Sequence, residues 1–294
     1  MICNECPRAC HVTRDEQHTG FCGVPEQPVI ARAAPHFWEE PCISGTRGSG
    51  AVFFSGCSLR CVFCQNYDIS LGRQGTAVSV ERLRQIFYEL LAQGVHNINL
   101  VTATHYLHAV LRALPDELPV PVVWNCGGYE SPLALRALKD KVQVWLPDMK
   151  YADPQLAAAL SAAPDYPAVN RAAVKEMFRQ VGPYRLNDDG MLVRGVMIRH
   201  LVLPGQLDNT FDVLDWIAEN FRPGDVLVSL MGQYTPNGRS GPDRTLTQEE
   251  YTRAAEYMAA LGLLEGYTQD LASAEQTYTP PFDGTGVLAE GELC

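Results

Sequence analysis

The chain has 294 residues, 46% of them apolar, and a formal charge of −11 at neutral pH. That size and apolar share allow one large domain with a buried core, and the acidic balance argues against nucleic acid or anionic membrane as principal partners, since both select basic surfaces. No apolar run approaches the ~18 residues of a bilayer span, and the opening Met1-Ile-Cys-Asn-Glu-Cys6 lacks the basic and apolar regions of a secretion signal, so a cytoplasmic protein is expected.

Of ten cysteines, eight lie within the first 64 residues, and seven of those form one set of four and one of three. Cysteines gathered in this way in a reducing compartment are metal ligands more often than disulfide partners. Cys3, Cys6, Cys10 and Cys22 make the first set, C-x2-C-x3-C-x11-C, with Pro7 and Arg8 after the second cysteine. Four thiolates close either a tetrahedral zinc site or a four-ligand iron–sulfur cluster. The dense start is closer to cluster spacing, but a lone four-cysteine site can also be folded by zinc itself, and both readings stand. The stretch 13–20 is polar and cannot bury a core, so a metal is the expected reason for its order. His11 reads as a surface residue. Cys42, Cys126 and Cys294 are isolated and read as buried small residues or free thiols.

The apolar run 51–54 reads as a strand, followed by Gly56-Cys-Ser-Leu-Arg-Cys-Val-Phe-Cys-Gln65. Cys57, Cys61 and Cys64 thus stand in a C-x3-C-x2-C run on the loop leaving that strand. Three thiolates hold three corners of a cubane cluster and leave one iron open, whereas clusters used only for electron transfer take four. A structural zinc site favours separated cysteine pairs or cysteine with histidine, and disulfides need an oxidising compartment. With the aromatic Phe63 before its last cysteine, the run resembles the motif of the radical S-adenosylmethionine (SAM) enzymes.

Downstream, strand and helix patterns alternate. Ser79 caps a helix whose apolar positions Val80, Leu83, Ile86, Phe87, Leu90 and Leu91 recur at helical spacing, and Gly94 ends it. Strands are expected at 97–101, 119–124, 142–146, 196–200 and 226–230. Helices are expected at 106–114, 131–138, 209–221 and 247–261, with broken helix over 154–181 at Pro164 and Pro167. Asp189-Gly190 marks a hairpin. Six strands alternating with helices imply a parallel sheet, whose reacting groups come from loops at the carboxyl ends of the strands. Those loops carry the three-cysteine run, Thr102 to His105, Asn125 to Gly128, Asp148 with Lys150, Arg199 with His200, and Met231 to Tyr234.

Leu146-Pro-Asp-Met-Lys150 and Ile198-Arg-His-Leu-Val-Leu-Pro-Gly205 look like segments of pyruvate formate-lyase activating enzyme and its relatives, and the resemblance spans nearly the whole chain. It implies an α/β fold, a partial (β/α)6 barrel of the radical SAM type, here with a small cysteine-rich metal-binding segment at the amino terminus. The division expected is 1–45 as that extension, 46–265 as the barrel, and 266–294 as a tail packing on it and wrapping the surface or covering the mouth. The resemblance implies a [4Fe-4S] cluster with an open site on Cys57, Cys61 and Cys64, and SAM beside Phe63, Asp148, Lys150 and His200. The family's Gly-Gly-Glu, which holds the SAM amino group, is replaced here by Val101-Thr-Ala-Thr-His105, leaving Thr102, Thr104 or His105 as acceptors. Asn125 stands where the activating enzyme carries an acidic residue at a monovalent-cation site.

The activity so implied is reductive cleavage of SAM to a 5′-deoxyadenosyl radical, fed by a flavodoxin- or ferredoxin-type donor. The leading expectation is activation of a glycyl-radical enzyme by hydrogen abstraction. Its rivals are radical modification of another peptide or small molecule, for which the amino-terminal set would be an auxiliary centre, and a non-catalytic iron–sulfur electron-transfer protein.

Overall fold

The computed structural model describes residues 2–238, 241–269, 271, 279–289 and 291. Its strands are β1 (Val29–His36), β2 (Ser49–Phe54), β3 (Thr76–Ala77), β4 (Ile98–Val101), β5 (Val122–Cys126), β6 (Val144–Pro147), β7 (Arg185–Leu186), β8 (Leu192–Leu201), β9 (Leu227–Met231) and β10 (Gly266–Thr268). Its helices are α1 (Pro41–Ser44), α2 (Tyr67–Ser70), α3 (Val80–Ala92), α4 (Leu107–Ala113), α5 (Pro132–Leu138), α6 (Pro154–Ser161), α7 (Tyr166–Val181), α8 (Leu207–Asn220) and α9 (Gln248–Ala260).

The neighbours β2, β4, β5, β6, β8 and β9 run parallel, each reached by a helical crossover as parallel pairing requires. The order β10-β9-β8-β6-β5-β4-β2-β1-β3 ends on different strands at its two edges, so the sheet curves without closing. This is the partial barrel that the sequence implies. β10 adds a parallel strand beside β9, while β1 and β3 are antiparallel at the other edge. β1 lies within residues 1–45, yet it shares a ladder with β2 and places Ile30 and Ala33 in the main core.

Local signals explain the element ends. Ser79 Oγ accepts the Arg82 amide at 3.0 Å to start α3, and Thr247 with Glu250 forms a capping box on α9. Pro167 does not break a helix. It lies in the first turn of α7, where a missing amide hydrogen leaves nothing unpaired. Asp189-Gly190 turns β7 back onto β8.

The strands bury both faces. Outward residues such as Val52, Phe54, Leu100, Trp124, Trp145, Ile198 and Val228 share one core with α3, α4, α5, α7, α8 and α9. Inside the barrel the lower layer is apolar, with Val123, Val144, Leu146, Met197 and Leu227 around Cys42 and Ile43 of α1, which plugs the floor. Above it the inward residues turn polar. The described part of the carboxyl-terminal stretch lies along β1, β2 and α3: Phe282 packs edge-on to Phe53 at 5.6 Å, Val287 is buried, and Arg82 Nε donates to the Val287 carbonyl at 2.8 Å. Residues 276–278 and Cys294 lie outside the described residues.

Candidate functional site

Cys57, Cys61 and Cys64 lie on the wall of a cavity of about 220 Å³ at the carboxyl ends of the strands, with Phe63, Thr102, Thr104, Asn125, Asp148 and Lys150 on the same wall. The loop offers these thiols as acceptors: the Leu59 amide donates to Cys57 Sγ at 3.3 Å, and the Ser161 hydroxyl to Cys61 Sγ at 3.0 Å. Burial pushes the Cys64 thiol up to about 12, and Cys61 and Cys57 push the same way, while Lys150 opposes them. The three sulfurs and the Lys150 ammonium therefore share one neighbourhood, which suits a negatively charged thiolate cluster. A fourth thiol at the cavity, Cys126, is turned to the Glu130 carboxyl. Phe63 packs on Tyr234 with ring centroids 6.0 Å apart and shields the cysteines from one side.

Beneath the thiols runs a buried polar layer centred on Arg199. Its Nε donates to Asp148 Oδ1 at 3.0 Å, Nη1 to Glu39 Oε2 at 3.1 Å and Nη2 to Asn125 Oδ1 at 2.6 Å. Asp148 also accepts from Lys150 Nζ at 2.5 Å, and Glu39 Oε1 accepts from Asn125 at 2.9 Å and Asn99 at 3.3 Å. Burial would raise the Asp148 carboxyl, but Lys150 and Arg199 outweigh it and hold the group below its usual range. Glu39 goes the other way: its burial outweighs Arg199 and the two asparagines. A second cavity of about 440 Å³ adjoins the first, sharing Trp38, Glu39, Arg199, Met231 and Gln233.

Two sequence-expected residues are placed elsewhere. His200 is fully buried with Nδ1 at 2.6 Å from the Met149 carbonyl and Nε2 at 3.0 Å from Thr210 Oγ1. Alternation along β8 sends Arg199 and Leu201 to the cavity and His200 to the helix layer. His105 is also absent from the cavity wall, its Nε2 at 2.8 Å from the Ser55 carbonyl. Burial lowers its pKa to about 3, keeping it neutral. Thr102 holds φ +61, a strained value for a β-branched residue, at the lip of β4. Thr104, on the cavity wall, donates its hydroxyl to Glu130 Oε1 at 2.6 Å. Glu130 is 2% exposed and burial raises its pKa to about 7.

Glu39 and Glu130 escaped the sequence reading. Glu39 follows an antiparallel strand rather than a parallel one, so its position after β1 gave no signal. Glu130 sits beyond the glycine pair of the β5 loop, one residue before the Ser131 cap of α5, where a capping or surface role is the default.

The amino-terminal set is folded onto the barrel. Cys6 and Cys22 are buried, Cys3 and Cys10 half-buried. The Cys6 thiol is pushed up to about 12 by burial, with Cys22, Cys3 and Cys10 adding to the effect, so the four thiols feel one another. Arg14 donates to Glu5 Oε2 at 2.9 Å and to the carbonyls of Val24, Pro25 and His105, and Ser131 Oγ donates to the Glu5 carbonyl at 3.0 Å. Residues 5 and 14 thus supply tertiary anchoring beyond any metal. Among the described residues, no three Cys, His, Asp or Glu side chains converge as tightly as one bare metal ion requires.

Residues 51–217 match the model of the Radical SAM superfamily. Over 286 residues the chain is 30% identical to an uncharacterized protein of Methanocaldococcus jannaschii, covering 92% of this chain and 76% of that one. SuiB of Streptococcus suis bound to S-adenosylmethionine is similar with a TM-score of 0.50 at 16% identity, over 74% of this chain and 46% of SuiB. SuiB bound to its precursor peptide SuiA gives 0.50 at 14% identity, over 74% and 48%. The chain spans about half the length of SuiB, and this likeness is one of fold. No helix among the described residues is long and apolar enough to cross a membrane.

Proposed function

The chain belongs to the radical SAM superfamily, and on that premise we propose that it activates a glycyl-radical enzyme by taking a hydrogen atom from a backbone glycine of its partner. The observation that carries this reading is the unclosed barrel: the cavity bearing Cys57, Cys61 and Cys64 continues into a second one, about 440 Å³, rimmed by the exposed Phe37 and Trp38. A loop of another protein can enter by that route.

In this reading Cys57, Cys61 and Cys64 hold a [4Fe-4S] cluster that leaves one iron for SAM, and cluster and SAM together supply reductive sulfonium cleavage and a 5′-deoxyadenosyl radical. The chain's own residues bind and orient. Lys150 and Arg199 present positive charge, Asp148 fixes both, and Phe63 excludes water from the cysteines. With Gly-Gly-Glu missing, Thr104 accepts the SAM ammonium, its hydroxyl proton committed to Glu130, and Thr102 and Asn125 complete the polar wall. His105 and His200 hold the loop backbone instead of touching SAM. Arg199, bonded to Asn125, Asp148 and Glu39, supplies the positive charge of a monovalent cation. Cys3, Cys6, Cys10 and Cys22 hold a second metal centre, a cluster or zinc, and the electron comes from a flavodoxin or ferredoxin.

That second centre favours a rival reading, radical modification of another peptide or small molecule, because glycyl activation does not require it. Anaerobic reconstitution with iron and sulfide, then SAM, reductant and a candidate partner deuterated at glycine, separates them. Glycyl activation puts deuterium into released 5′-deoxyadenosine. Deuterium arriving only from another labelled residue or molecule selects the rival, and a loaded cluster that releases no 5′-deoxyadenosine refutes both.

A further inference from the structure

Two thiol-bearing loops far apart in sequence meet back to back. Gly56, just before Cys57, has φ +82, and a Cβ there would stand 3.0 Å from the Cys22 carbonyl oxygen and 2.7 Å from Val24. The Val24 side chain and the Cys22 carbonyl fill the space a side chain would need. Phe21, beside Cys22, lies between two guanidinium groups, Arg8 at 3.9 Å from its ring centroid and Arg60 at 4.7 Å. Arg60 belongs to the spacer between Cys57 and Cys61.

Arg8 is the tie. It follows Cys6-Pro7 and donates through Nε to the Ser58 carbonyl at 2.8 Å, through Nη2 to the Ser161 carbonyl at 2.9 Å and through Nη1 to the Ala162 carbonyl at 2.5 Å. Ser161 passes its own hydroxyl to Cys61 Sγ at 3.0 Å. Through Arg8, continuous paths of covalent and hydrogen bonds join Cys6 to Cys57 by way of Ser58 and to Cys61 by way of Ser161. The set also has two sides: Cys6 and Cys22, 7% and 6% exposed, lie inward, whereas Cys3 and Cys10 are half-open to solvent.

Zinc has no redox chemistry and gains nothing from this placement. Neither thiol set among the described residues is gathered as tightly as one bare ion demands. We propose that Cys3, Cys6, Cys10 and Cys22 hold an iron–sulfur cluster that relays electrons to the barrel cluster, its half-open side receiving a flavodoxin- or ferredoxin-class donor. This rests on the radical SAM reading of the barrel. The balance is one electron throughout: the donor is oxidised as the amino-terminal centre is reduced. That centre is reoxidised as the barrel centre is reduced, and SAM cleavage consumes the same electron. No proton moves and no bond forms in the relay.

The test compares the full wild-type chain, a Cys6→Ser/Cys22→Ser double variant and Arg8→Met, all reconstituted anaerobically with iron and sulfide. Metal analysis should give two clusters' worth of iron in wild type and Arg8→Met, and one in the double variant. Zinc retained at the amino-terminal set overturns the relay and leaves the radical SAM reading intact, whereas a loaded barrel cluster that never cleaves SAM refutes that reading instead. Reduction of the barrel cluster is then followed by electron paramagnetic resonance, with reduced flavodoxin and separately with titanium(III) citrate, which needs no docking site. The ratio of the flavodoxin rate to the titanium rate should fall by an order of magnitude or more in the double variant and fall also in Arg8→Met. Unchanged ratios overturn the proposal. Fully reduced wild type should show spin–spin broadening that the double variant lacks. If the double variant loses its barrel iron through misfolding, Arg8→Met decides, since all its thiols are intact.

Discussion

Arg199 decides whether the polar layer under the cysteines is a site or a fault. Its fork is filled by Asp148, Glu39 and Asn125, and its side chain is 14% exposed. Removing one partner of such a buried pair leaves uncompensated carboxylates, so Arg199→Met should cost ~3–5 kcal/mol in urea unfolding. Arg199→Lys should not restore it, because a point charge cannot fill a planar fork. A loss below ~1 kcal/mol would mean that water, rather than the guanidinium, solvates the two acids. Glu130 supplies a pH signature. Burial raises its pKa to about 7, although the Thr104 hydrogen bond and the nearby Cys126 and Trp124 side chains pull it down. The folded state thus binds this proton more tightly than the unfolded chain. Its stabilisation is complete below the ordinary carboxyl value of 4.5 and disappears as pH rises through 7. The stability of wild type relative to Glu130→Gln should therefore drop by ~3 kcal/mol across that window. Parallel pH curves for the two proteins would show that the carboxyl is ionised throughout.

At the scale of elements, local chemistry in the chain foretold what local chemistry controls. The Ser79 cap, the capping box at Thr247 and the Asp189-Gly190 turn all form, and the six parallel strands lie where apolar runs placed them. What failed was facing. Val-Met-Ile-Arg-His-Leu in β8 is buried on both sides, so it carries no alternation from which to learn whether Arg199 or His200 looks inward. β1 reads as Val-Ile-Ala-Arg-Ala-Ala, too weakly patterned to announce a strand, and Glu39 was hidden with it. The loop after β5 needs its second glycine for packing. Gly128 has φ +72, and a Cβ there would stand 2.1 Å from Asn170 Nδ2 and 2.2 Å from the Asp148 carbonyl. At Gly94, with φ +79, a Cβ would have no other atom within 4 Å. Gly94→Ala should cost only the backbone term, ~1 kcal/mol, whereas Gly128→Ala adds a clash with the strand end carrying Asp148 and should cost on the order of 3 kcal/mol or more. Thermal unfolding of the two variants checks this. Equal midpoints would mean that Asn170 and the Asp148 peptide yield freely.

For the whole molecule, the open sheet leaves its β1 edge to be covered by the carboxyl-terminal stretch, and that cover reaches the site. Thr279 and Pro280 line the cysteine cavity, Phe282 packs on Phe53, another wall residue, and the Thr285 carbonyl accepts the Ala33 amide at 2.8 Å. The Gly284 amide also donates to the Ala31 carbonyl at 3.0 Å, Arg32 to the Pro281 carbonyl at 3.3 Å and Arg82 to the Gly286 carbonyl at 3.2 Å. The Arg32–Asp283 pair has an aspartate side chain 51% exposed and adds little. The anchor is Val287, fully buried, with its carbonyl taken by Arg82 Nε at 2.8 Å. Burying that side chain is worth ~1.5–3 kcal/mol, a contribution that a charge in its place removes. Val287→Asp should release it: the Gly284 and Val287 amides should exchange hydrogen at the rate of open peptide, while the amides of β5 and β6 stay protected. If the cover completes the SAM cavity, the same variant should bind SAM several-fold more weakly with its cluster fully loaded. Release without any change in SAM affinity would make the stretch a strap on the sheet edge, with no part in the site.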